Sequence, residues 1–146
     1  MTLSKLALVA WAILFAVAPR ADEAAELFYS LLFTIAPDTK RLFQGVDMTS
    51  QGEKLMTVLA TAVQGLDRLE ELMPVVQDLG RRHAGYGVEL HHYDAVEQAL
   101  LEMLRQMLGQ AFTVELRLAW SNIYSKLASI MIDASREPGT ATEIVH

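Results

Sequence analysis

The chain has 146 residues, one domain's worth, and at that length folding buries about 68 to 70% of the extended chain's surface, so a nucleotide-binding half cannot fit beside the core. Its 52% apolar and 21% charged residues describe a packed chain rather than a solvated one. With 12 Lys and Arg against 18 Asp and Glu there is no basic field to draw nucleic acid. With no cysteine there is no disulfide, thiolate metal site or cysteine nucleophile, which suits a cytoplasmic location and leaves metal chemistry to four histidines and the carboxylates.

Lys5 precedes thirteen apolar residues at 6–18 that end in Ala16-Val17-Ala18, the outline of a secretory leader. Pro19 stands where cleavage would fall, and the run is shorter than the ~20 residues a membrane-spanning helix needs. It therefore reads as a first helix with an apolar outer face, Trp11 and Phe15 on one stripe, suited to pairing with a second copy or touching a membrane.

Apolar residues recur at three and four from here on, and strict alternation is absent, so the chain reads as all helix. Asp22 is a candidate cap for a helix through Leu27, Phe28, Leu31, Leu32 and Ile35, which Pro37 ends. A short connection covers 38–47. Thr49 or Ser50 then opens a helix whose Gln51, Leu55, Val58, Leu59 and Ala62 share a face, and Pro74 marks the handover to the next helix by removing a backbone donor. Gly80, Gly85 and Gly87 bracket a brief helical turn carrying Arg81, Arg82 and His83. A helix over about 91–108 turns Val96, Leu100, Leu104 and Met107 inward and stops at Gly109. The last, capped by Thr113, aligns Leu116, Trp120, Ile123, Leu127 and Ile130. Residues 1–135 thus form one domain, with 136–146 a frayed tail.

A histidine among glycines, a Phe-rich connection and about seven helices suggest a helical cage around a flat ligand. The segments Leu27-Phe28-Tyr29, Ala36-Pro37-Asp38 with Leu42-Phe43, Gln51 to Met56, Leu79-Gly80-Arg81-Arg82-His83, Tyr86-Gly87-Val88, His92-Tyr93 and Ala119-Trp120 through Tyr124 resemble the bacterial single-domain haemoglobins. These are relatives of the globin half of flavohaemoglobins. The likeness runs from about residue 20 to 134, and Gln51 and His83, 32 positions apart, suit that family's distal and proximal positions.

The resemblance implies a globin fold holding haem b, iron protoporphyrin IX, with His83 as proximal ligand through a neutral imidazole. It makes Tyr29 and Gln51 distal donors to oxygen, nitric oxide or carbon monoxide, with Leu55 limiting the room there. Phe43 would wedge the ring, Lys54 and Arg82 would meet the propionates, and Val88, Tyr93 and Val96 would line the pocket. Adjacent His91 and His92 point in different helical directions and make poor joint metal ligands. The implied function is reversible binding of diatomic gases, with nitric oxide detoxification dependent on an external reductase. The rival reading is a gas sensor signalling through an oligomer interface on the first helix.

One departure bears on the iron's environment. Flavohaemoglobins back the proximal histidine with a tyrosine and a glutamate; Tyr93 matches the former, but the latter's place falls on Ser135, with Glu137 two residues out of register. The expectation is that His83 bonds a backbone carbonyl instead.

Overall fold

A computed structural model describes residues 17–65 and 68–136; the apolar run up to residue 16 and the tail beyond 136 lie outside them. After a 3-10 turn at Ala18–Arg20 come five α-helices: α1 Ala21–Ile35, α2 Met48–Gln64, α3 Leu69–Gly85, α4 Leu90–Leu108 and α5 Val114–Ser135. Among the described residues there is no strand.

Local chemistry explains most of the ends. Asp22 is not a cap: Arg20 holds that position without a side-chain bond, and Asp22 and Glu23 instead place negative charge in the first turn of α1, where the helix dipole favours it. The helix stops at Ile35 because Ala36, before Pro37, leaves the helical region at φ −133° and ψ 83°. The expected irregular connection is partly ordered as a second 3-10 segment, Pro37–Phe43, anchored by buried Thr39, whose hydroxyl donates to the Ala36 carbonyl at 2.6 Å.

α2 begins at Met48, ahead of the start that Thr49 or Ser50 would set. Asp47 is its N-cap, the carboxylate accepting from the Thr49 amide at 3.1 Å. Val58, expected on the inner face, is 43% exposed, whereas Gly52, Ala62 and Val63 are buried. Gly52 marks the crossing with α1, since a Cβ there would stand 2.9 Å from Cβ of Ala25.

The reading of Pro74 as a boundary is corrected. α3 runs through it without interruption from Leu69 to Gly85, so the glycines around His83 bracket no separate turn; His83 rides on the last turns of a 17-residue helix. The lost Pro74 donor, a cost of about 3 kcal/mol in a helix interior, is outweighed by packing of the Val76 and Gly80 face on α5.

The two late helices follow their local signals. Gly109 closes α4 at φ +58°, a conformation that favours glycine, and the Thr113 hydroxyl accepts from the Leu116 amide at 3.2 Å to open α5. α1 packs on α4 and α3 on α5, around a core that includes Phe28, Leu32, Met103, Leu104, Trp120 and Ile123.

Candidate functional site

His83 lies two residues from the end of α3, with its Nδ1 2.8 Å from the carbonyl oxygen of Leu79, one turn earlier. A carbonyl only accepts, so Nδ1 carries the proton and Nε2 is left with its lone pair. Burial pushes the imidazole below its ordinary pKa, and the Leu79 carbonyl opposes that only in part. The ring is thus neutral, fixed in tautomer, and equipped with one free donor nitrogen. Its partner is a backbone carbonyl, as the register of Ser135 implied; Ser135 spends its own hydroxyl on the Ile132 carbonyl at 2.7 Å.

Tyr29, on the inner face of α1, is 7% exposed and set in an aromatic cluster. Its ring meets Phe28 edge-on at 4.9 Å and Phe43 edge-on at 5.3 Å, with Phe33 at 6.2 Å. Gln51 stands in the first turn of α2, its amide bonded to the Asp47 carbonyl at 2.9 Å, and its side chain is a hydrogen-bond partner of the Tyr29 hydroxyl. Burial raises the phenol's pKa and the Gln51 bond offsets part of that, so Tyr29 stays protonated and a donor. Leu55, one turn beyond Gln51, and Phe43 are half-buried against the same core. The structure therefore brings Tyr29, Gln51 and Phe43 together.

The remaining candidates are more dispersed in role. Val88 packs below α3, its amide bonded to the His83 carbonyl at 3.0 Å, and Val96 is half-buried against the core. Tyr93 is half-buried, its phenol pushed up in pKa by burial, and its backbone carbonyl accepts from the Tyr124 hydroxyl at 2.6 Å. Val88, Tyr93 and Ser135 line an open cleft of about 600 Å³ between the end of α3, the start of α4 and the end of α5. Lys54 is exposed on α2, and Arg82 is spent on Asp78 of its own helix at 3.0 Å.

Position along the sequence misjudged the histidine pair. His91 and His92 do not diverge: their rings lie 4.1 Å apart, and both Nε2 atoms reach Oδ2 of Asp38, at 3.0 and 2.7 Å. Adjacent helical side chains converge here because both sit at the start of α4, where rotamers can swing toward the 3-10 segment. Nothing local signals this, since Asp38 is more than fifty residues away.

With this geometry in hand, kinship adds to it. The globin family profile matches residues 26–131. Over 118 residues, covering 72% of this chain, a neuroglobin from Dissostichus mawsoni is 36% identical and is itself covered to 74%. A flavohaemoprotein from Bordetella parapertussis is 33% identical over 111 residues, 75% of this chain, which spans only 28% of that protein's length. Among solved structures, an engineered carbene transferase built on a Rhodothermus marinus protein described as a nitric oxide dioxygenase superposes with a TM-score of 0.77 at 26% identity, over 92% of this chain and 94% of the other.

The chain belongs to the globin family and has the globin fold; it is homologous to the globin domains of flavohaemoproteins. Globins bind haem, and the donors described above fit that group: a half-buried neutral imidazole with a free nitrogen on one element, and on others the Tyr29 hydroxyl, set in an aromatic cluster, with Gln51 as its hydrogen-bond partner.

Proposed function

We propose that this chain is a haemoglobin unit that holds haem b through His83 and reversibly binds oxygen and related diatomic gases. The observation that carries the reading is the His83 bond to Leu79, which presents Nε2 as a neutral donor where a protonated or rotated ring would offer none. Haem supplies an iron that takes up oxygen, nitric oxide or carbon monoxide. This chain's residues decide how firmly such a guest stays: Tyr29, with Gln51 as its partner, offers an O–H donor to a polarised diatomic, and Leu55 restricts the space beside them. Phe43, Val88, Tyr93 and Val96 supply apolar walls that keep water from competing for those donors, and Lys54 is the exposed cation offered to the propionates. Arg82 fits that part less well, because Asp78 already takes its charge.

The backbone partner of His83 is a weaker acceptor than a carboxylate, so the imidazole pushes less electron density outward and chemistry that cleaves an oxygen–oxygen bond is disfavoured. Conversion of nitric oxide and oxygen to nitrate consumes one electron per turnover, and an external reductase supplies it. No helix among the described residues is long and apolar enough to cross a membrane; we place the protein in the cytoplasm, as one globin unit over 1–135 whose proposed boundary falls at the end of α5.

Absorption spectra of the purified protein, oxidised, reduced and under carbon monoxide, test this. A Soret band that moves on reduction and again with carbon monoxide is expected; a fully helical protein that takes up no haem overturns the reading.

A further inference from the structure

Asp38 is a meeting point that the haem-binding set does not use. Both imidazoles of the His91–His92 pair reach its Oδ2, the Glu89 carboxylate is adjacent, and one donor atom from each of the four residues lies within 4.8 Å of the others. The group joins the 3-10 segment that ends in Phe43 to the start of α4, which carries Tyr93 and Val96.

The two imidazoles differ in what they can offer. His92 is 1% exposed, and its Nδ1 accepts the Glu89 backbone amide at 2.9 Å as half of a capping box. Its proton therefore sits on Nε2 and is donated to Asp38, leaving no lone pair there. His91 is 58% exposed in its side chain and donates from Nε2 to Asp38, but no hydrogen bond among the described residues occupies its Nδ1, so the proton can move there and free the Nε2 lone pair for an ion.

We propose that Asp38, Glu89 and His91 form a surface site for one divalent transition-metal ion of the zinc class, with His92 holding the Asp38 carboxylate in place. Imidazole with carboxylates suits zinc, copper or nickel better than magnesium or calcium, which prefer all-oxygen sets. The ion takes the place of the proton between His91 and Asp38. Their 3.0 Å separation needs to open only slightly, since two ligands at about 2.0 to 2.1 Å in tetrahedral zinc stand about 3.3 Å apart. A histidine donating to a ligating carboxylate is the usual outer support of such sites. The α4 N-terminus opposes a cation with about half a unit of charge, which two carboxylates outweigh. Arg41, 3.5 Å from Glu89, is the cation that an incoming ion displaces.

The test is calorimetric titration of the full chain, with its haem, by Zn²⁺ at neutral pH. One ion per chain is expected, undisturbed by millimolar Mg²⁺. Affinity falls at least tenfold in His91→Ala and in Asp38→Asn, rises in Arg41→Ala, and is unchanged in His146→Ala, with helicity by circular dichroism intact throughout. Electron paramagnetic resonance with Cu²⁺ reads coupling to a single imidazole nitrogen. No saturable binding, parent-like affinity in His91→Ala, or coupling to two nitrogens overturns the assignment. Because none of these readings uses haem uptake, failure here is distinguishable from failure of the globin reading.

Discussion

Gly80 and Met131 are in backbone contact where α3 crosses α5: a Cβ at position 80 would stand 2.3 Å from the Met131 carbonyl oxygen and 2.5 Å from its Cα. Neither atom is the tip of a flexible side chain, so the helices themselves would have to part. Gly80 lies one turn before His83, and the crossing sets where that imidazole stands.

Gly80→Ala is therefore expected to lower stability by about 1 to 3 kcal/mol, the usual cost of overpacking. Urea unfolding should show a lower midpoint with an unchanged slope, together with reduced haem occupancy. Wild-type stability in that variant would mean that α3 and α5 are free to separate.

Replacing Tyr29 by Phe keeps the ring among Phe28, Phe33 and Phe43 but removes the donor. A hydrogen bond to a charged acceptor is worth about 1.5 to 3 kcal/mol, so oxygen dissociation should quicken by about tenfold to more than a hundredfold. Stopped-flow displacement of oxygen by carbon monoxide measures it, and an unchanged off-rate removes Tyr29 from the role.

Asp38 yields a pH dependence whose sign can be worked out. The hydrogen bonds from His92, then His91, hold its carboxyl down at about 2 against an ordinary 3.8. A carboxyl depressed on folding contributes stability that is present above its unfolded value and lost as pH falls toward the folded one. Glu102, held at about 2 by Arg105 and Gln106, titrates in the same window. Asp38→Asn should thus flatten, without abolishing, the loss of stability between about pH 4 and 2 in acid titrations followed by circular dichroism.

Trp120 is 1% exposed, and its Nε1 has no hydrogen-bond partner among the described residues. Truncating a buried Trp to Ala costs about 3 to 5 kcal/mol. Trp120→Phe retains most of the packing and relieves a stranded N–H, whose burial alone costs about 1 to 3 kcal/mol. Denaturant unfolding should place the Phe variant below half the loss seen for Ala.

What could be read from the sequence depended on how local each signal was. Pro37, Gly109 and Thr113 mark helix ends through their own backbone or side-chain chemistry, and the structure ends or starts helices beside each of them. Pro74 carried an equally local signal and misled, because the α3–α5 packing that overrides it is tertiary. The backbone character of the His83 partner was legible, because the register that puts Ser135 in place of a carboxylate can be counted along the chain, and the Leu79 carbonyl one turn away takes that bond. The convergence of His91 and His92 on Asp38 was not, because it depends on how the 3-10 segment docks against α4. Val58 shows the same limit on a smaller scale: helical periodicity placed it inward, but no element among the described residues covers it and it is 43% exposed.

The most direct measurement is haem uptake by His83→Ala, followed in the Soret region with helicity checked in parallel. A folded chain that loses the pigment, or holds it weakly and recovers its spectrum when free imidazole is added, is expected. A variant that keeps the parent's absorption, oxidised, reduced and under carbon monoxide, would contradict it.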